Sequence, residues 1–250
     1  MKNCATPRPL APKSGKVRLR CIQHVSFEGP GAIADWAASR GVELRITRLD
    51  AGDPVPMAED FDWLLLMGGP MSVHDEDAHT WLREEKALLC KCLGIGVPVL
   101  GICLGSQMLA ECLGARVVKN PHREIGWHSI RVTAGCESRM ATMPVEAMVF
   151  HWHGETHTLP PGATLLAHSE ACEVQAFETV SAIGLQFHLE MASPGLEELI
   201  RNCGSEIGTG PYEQTPEVLR AGESAYGEAA RRMLSRLLDS ILARVAAARR

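Results

Sequence analysis

Three absences narrow the field before any motif is considered. The 250-residue chain has no long apolar run: stretches such as Trp63–Met67 and Val97–Leu100 fall far short of the roughly 20 residues that span a bilayer. It has little excess charge of either sign, with a net charge of −5 and a pI of about 6.1, so there is no electrostatic case for nucleic acid or for an anionic membrane as a partner. It also lacks Gly-x-Gly-x-x-Gly, and Glu28-Gly29-Pro30-Gly31 is too short to serve as a dinucleotide loop, so no bound cofactor is expected. Met1–Gly15 is polar and proline-rich, without the apolar core of a secretory signal. The nine cysteines, an odd number scattered over the chain, therefore read as reduced thiols of a cytoplasmic protein and not as a disulfide framework.

What is present is ordinary for a globular chain, with 46% hydrophobic and 22% charged residues, enough for one large α/β domain. Residues 1–15 read as a mobile tail, 16–203 as the domain, and 204–250 as a loop followed by an amphipathic helix. Strands are expected at Val17–His24, Val42–Leu49, Phe61–Met67 and Val97–Ile102, alternating with helices at Gly31–Arg40, Thr80–Leu93 and Ser106–Leu113. That order implies a parallel sheet with helices on both faces. From Val117 to His188 short strands dominate (Ser129–Thr133, Ala147–Trp152, Thr164–Ser169, Val174–Phe177, Ala182–Phe187), and these are expected to be antiparallel and to finish beside the main sheet. Residues 204–222 read as a loop. Glu223–Ala248 carries an i, i+3, i+4 apolar stripe, read as a helix packed on its own domain, with docking to a partner as the alternative.

The sharpest chemical signal is Gly101-Ile102-Cys103-Leu104-Gly105. A buried strand runs into Gly-x-Cys-x-Gly and a helix follows, the pattern of a nucleophile elbow. Flanking glycines remove side chains that would clash as the chain reverses, and the helix N-terminus favours a thiolate. A nucleophile needs a base and a group that orients the base. Gln186-Phe187-His188-Leu189-Glu190 offers both, because i and i+2 of an extended segment point to one side. Met67-Gly68-Gly69-Pro70 ends a buried strand in a loop whose amides can face a developing oxyanion.

Other groups are weaker. His74-Asp75-Glu76-Asp77-Ala78-His79 reads as a solvated loop, since its spacing fits no common metal site. His151-x-His153 could chelate zinc, but no third ligand is evident, so no metal is expected there. Cys90 and Cys92 diverge by about 200° on a helix and form no metal clip.

Together, Gly101–Gln107, Met67–Pro70 and Gln186–Glu190 resemble class I, triad-type glutamine amidotransferases, nearest to stand-alone relatives of the amidotransferase domain of GMP synthetase. Gln23-His24 with Glu28-Gly29-Pro30-Gly31, Glu124-Ile125-Gly126-Trp127, His153-Gly154-Glu155-Thr156 and Gln175-Ala176-Phe177 agree, and the similarity runs over about residues 17–192. It implies a flavodoxin-like fold with a mostly parallel central sheet, a smaller antiparallel region and the C-terminal helix. It implies Cys103, His188 and Glu190 as the triad and the amides of Gly69 and Leu104 as the oxyanion hole. Gly68, Gln107, His153 and Glu155 would contact the substrate, which is glutamine or a γ-glutamyl compound.

Two departures stand out: Leu189 occupies a position where relatives have proline, and Glu155 one where they have aspartate. After residue 192 there is no Ser-Gly-Gly-x-Asp-Ser phosphate loop, so an ammonia acceptor would be activated by a separate synthetase subunit. Two alternatives stay open. One is hydrolysis of another γ-glutamyl bond by the same triad; the other is a regulatory subunit that docks through the C-terminal helix.

Overall fold

Two four-residue apolar strands, Trp63–Leu66 and Val99–Ile102, are buried at every position and form the middle of a sheet covered on both faces. They belong to a computed structural model that describes residues 15–133, 135 and 138–249. The expected tail at 1–15 therefore lies outside the described residues except for Gly15.

The strands are β1 (Arg18–Gln23), β2 (Glu43–Arg48), β3 (Trp63–Leu66), β4 (Val99–Ile102), β5 (Val117–Val132), β6 (Glu146–His157), β7 (Thr164–His168), β8 (Ala176–Glu178) and β9 (Ala182–Leu185). They make one nine-stranded sheet in the order β2-β1-β3-β4-β9-β8-β7-β5-β6. The β2-β1-β3-β4-β9 part is parallel and the rest is antiparallel, so the antiparallel region continues the main sheet. The expected return to the main sheet is met by β9, which pairs in parallel with β4.

The α-helices are α1 (Ala32–Arg40), α2 (Trp81–Ile95), α3 (Leu104–Cys112), α4 (Ser193–Cys203) and α5 (Pro216–Ala248). Three findings differ from the sequence reading. The first antiparallel strand is 16 residues long, starts at Val117 and absorbs a register shift between Lys119 and Glu124. Helix α4 falls in a stretch to which the sequence reading assigns no element, and its Pro194 suits a helix's first turn. Helix α5 begins at Pro216, not Glu223, with Thr215 at its N-cap.

Glycine at position 222 disguised that start, and its cause is packing. A Cβ there would sit 2.6 Å from Cγ of Trp127, so the indole lies directly on the helix backbone. The α5 stripe (Leu219, Leu234, Leu237, Leu238, Ile241, Val245) is buried in the same hydrophobic core as Trp127 and Phe150. The apolar face that could have docked a partner is thus used inside the molecule. Among the described residues no helix is long and apolar enough to cross a membrane.

Candidate active site

Cys103 stands between β4 and α3 with φ 51° and ψ −108°, and it alone among the described non-glycine residues has a positive φ. Such a conformation costs on the order of 1–3 kcal/mol and survives only where neighbours enforce it. Here they do. The Cys103 amide donates to the Leu185 carbonyl of β9 at 2.7 Å, and the Gly105 amide donates to Met67 beyond β3 at 3.1 Å. A Cβ on Gly101 would lie 2.8 Å from the Ser106 nitrogen, and one on Gly105 2.6 Å from Cβ of Leu66. Both glycines are therefore demanded by the close approach of the turn, as the elbow pattern implied.

His188 and Glu190 follow β9. Backbone pairing of the His188 amide with the Phe150 carbonyl at 2.8 Å holds the segment extended, so the two side chains share one side. His188 Nδ1 lies 2.6 Å from Glu190 Oε1, and Glu190 Oε2 accepts the Leu189 amide at 3.0 Å. The Cys103 thiol lies on the imidazole's other side, near enough to act on its charge. Burial disfavours charge on His188, but the Glu190 carboxylate and the Cys103 sulfur outweigh it and raise the imidazole well above its usual value. Leu189 in place of proline leaves an amide that the carboxylate uses, so this departure adds an anchor for Glu190.

Around the sulfur, Gln186 Nε2 and the Trp152 carbonyl each lie 3.7 Å from Sγ, and Gln107 Nε2 donates to Gln186 Oε1 at 3.3 Å. Gln107 also donates to the Glu155 carbonyl at 3.1 Å. A cavity of about 680 Å³ opens over Cys103 and is lined by Glu28, Gly69, Gln107, His153 and Glu155 among others. Gly68 lies behind it, where an added Cβ would come 3.3 Å from Cε1 of His188. His153 lines the cavity, yet its Nδ1 faces the Glu155 carbonyl at 3.0 Å and its Nε2 faces Glu124, so the polar atoms of the ring turn into the protein.

Three carboxylates that sequence reading left without roles belong to this region. Glu28 projects into the cavity beside His188; burial pushes its carboxyl up to about 7, while His188 and His24 pull the other way. Glu85 and His24 form a fully buried pair at 2.9 Å, and His24 Nδ1 meets the Gly68 carbonyl, also at 2.9 Å. Burial opposes charge on His24, and the Glu85 carboxylate overcomes it, so both nitrogens can donate. The third is Glu124. It lies opposite His153 on the β5–β6 ladder and supplies the third ligand type that the His151-x-His153 reading lacked. Burial opposes its ionisation, but the adjoining imidazoles of His153 and His151 and the hydrogen bond from Ser169 hold it down at about 2. None of these pairings leaves a spacing signature, because the partners come from distant segments.

Comparison with known proteins fits this geometry. The family model for glutamine amidotransferase class-I matches residues 31–206, most of the chain. This chain belongs to the class-I glutamine amidotransferase family. YfeJ of Salmonella typhimurium, a glutamine amidotransferase-like protein, is 35% identical over 198 residues, covering 76% of this chain and 83% of YfeJ. A glutamine amidotransferase from Thermotoga maritima superposes with a TM-score of 0.83 at 30% identity, over 91% of this chain and 99% of that one. The glutamine-hydrolysing GMP synthase of Thermomicrobium roseum is 37% identical over 141 residues, which are 55% of this chain but 25% of that enzyme. The matched region is thus about a quarter of that synthase. Membership in the class-I amidotransferase family supports hydrolysis of the glutamine side-chain amide in general terms.

Proposed function

We propose that the protein is a cytoplasmic cysteine hydrolase that cleaves the side-chain amide of glutamine through a γ-glutamyl thioester on Cys103. The observation that carries this reading is the strained Cys103 beside His188, whose Nδ1 is fixed by Glu190 at 2.6 Å. Sγ attacks the amide carbon, and His188 delivers a proton to the departing ammonia. His188 then takes a proton from water, which displaces Sγ and releases glutamate. Glu190 keeps the imidazole's catalytic nitrogen aimed at sulfur throughout.

The oxyanion falls to the amides of Gly69 and Leu104. Leu104 is the first residue of α3, where amides have no partner within the helix. The Gly69 amide shares a peptide plane with the Gly68 carbonyl, which His24 holds. In a trans peptide the N–H points opposite the carbonyl, so the Glu85–His24 pair turns the Gly69 amide away from itself and toward the cavity. Gln107, Gly68 and Glu155 remain candidates for the substrate's amino-acid end, and the Glu28 carboxylate suits its ammonium group. Any acceptor chemistry is assigned to a separate synthetase.

A second reading has one observation in its favour. The cavity of about 680 Å³ is far roomier than the amide of one glutamine requires, and it continues past Cys103 to Arg123, Glu206 and Glu213. A γ-glutamyl peptide would fill it. Purified protein incubated with glutamine and with a panel of γ-glutamyl peptides, with released glutamate measured, separates the two. Glutamine-selective release supports amidotransfer chemistry, and peptide-selective release supports the hydrolase. No release from either, with the elbow intact and candidate synthetases added, overturns both.

A further inference from the structure

Glu124, His151 and His153 each bring one donor atom to a point where all three atoms lie within 4.8 Å of one another, and all three residues are buried. Their hydrogen bonds distinguish them from an ordinary ion pair. His153 Nδ1 lies 3.0 Å from the Glu155 carbonyl, which can only accept, so Nδ1 carries the hydrogen. In the neutral ring Nε2 is then a bare lone pair. It faces Glu124 Oε2, a second acceptor, at 3.0 Å. Two acceptors that close repel unless a cation lies between them. A proton on Nε2 would relieve this contact, but Nε2 is out of line for a hydrogen bond. A proton there would also do nothing for His151, which is wholly buried with neither ring nitrogen hydrogen-bonded.

The surroundings are arranged around the carboxylate. Ser169 Oγ donates to Glu124 Oε1 at 2.8 Å, and Gln175 Nε2 donates to Oε2 at 2.7 Å. A ligating carboxylate held by outer hydrogen bonds, with an imidazole that donates its far nitrogen to a carbonyl, is the usual support of a metal site. His128 packs on His151 with ring centroids 5.7 Å apart, but its Nε2 is engaged by the Tyr212 carbonyl at 2.9 Å, so it is not counted as a ligand.

We propose that Glu124, His151 and His153 form a binding site for one divalent first-row transition metal ion, such as Zn²⁺ or Co²⁺. Two imidazoles and one carboxylate suit these borderline ions better than Mg²⁺ or Ca²⁺, which prefer all-oxygen sites. Bonds of about 2.1 Å in tetrahedral geometry place donor atoms about 3.4 Å apart, so the ion draws the widest pair inward by up to about 1.4 Å. The remaining position falls to water. The cluster sits where the Cys103 cavity, lined by His153, approaches a second cavity of about 360 Å³ lined by Glu124, Ser169 and Tyr212. An ion held there would clamp β6 beside Trp152, whose carbonyl touches the Cys103 sulfur. The site stands whether or not the amide-hydrolysis reading holds.

The test uses the full chain, stripped with a chelator and titrated with Co²⁺ and then Zn²⁺. The expected result is one ion per chain, visible Co²⁺ d–d absorption without a near-ultraviolet thiolate band, and a higher Tm. Glu124→Gln and His151→Phe should each weaken the Kd by about 100-fold or more, and Ser169→Ala by about 10-fold. Cys103→Ser should leave the affinity unchanged. Should His151→Phe fail to fold, as judged by circular dichroism, Glu124→Gln alone decides. No stoichiometric binding, a thiolate band, or an affinity indifferent to Glu124→Gln would overturn the site.

Discussion

Two buried histidine–glutamate groups flank the cavity, one in each half of the sheet, and they are built in opposite ways. In the parallel half, both ring nitrogens of His24 are bonded, to Glu85 and to the Gly68 carbonyl. In the antiparallel half, both nitrogens of His151 lack partners, and the Nε2 lone pair of His153 meets a carboxylate. A satisfied buried network fixes geometry, whereas an unsatisfied one is costly and calls for an additional ligand. The first arrangement therefore orients a peptide for the reaction, and the second has room for a cation. The parallel half should carry the rate, and the antiparallel half the architecture of the cavity wall.

The largest effect that would break this contrast is at the elbow. Cys103→Ala should lower glutamate release by about 10⁴-fold or more while the circular dichroism spectrum stays native. Next comes Glu85→Gln, far from the sulfur in sequence. By loosening His24 it should cost about 10- to 100-fold in kcat with KM little changed, because the Gly69 amide serves the transition state. A rise in KM with kcat intact would assign the pair to substrate binding instead.

In the antiparallel half, Gly222→Ala should destabilise the fold by about 1–3 kcal/mol in urea unfolding, as the new methyl displaces Trp127, with kcat nearly unchanged. The smallest effect sharpens the electrostatics of the cavity. Glu28 has a folded pKa of about 7, raised from 4.5 by burial. A raised carboxyl leaves stability intact below pH 4.5 and erodes it as pH climbs through 7. Glu28→Gln should therefore match the wild type in Tm near pH 4.5 and exceed it at pH 8, by about 1–2 kcal/mol of stability given the open side toward the cavity.

Much of this was legible before the fold was known, and the residues show why. β3 and β4 announce themselves because every side chain is buried, and the elbow because Gly101 and Gly105 are required by contacts within and beside one turn. His188 and Glu190 share an extended segment, so their spacing alone aligns them. Glu28 and Glu124 sit in segments that resemble the family, and Glu85 in none, but no spacing assigns any of the three a role, since each acts across the fold on a partner from another strand or helix. The start of α5 was hidden for a related reason: Gly222 looks like a loop residue until Trp127 is seen lying on it.

The account rests on one activated thiol among nine cysteines. Intact-mass and peptide mapping after reaction with a glutamine-like diazo-ketone test it most directly. The prediction is a single adduct per chain, on Cys103, lost in His188→Asn. Adducts spread over several thiols, or labelling of Cys103 that does not depend on His188, would contradict it.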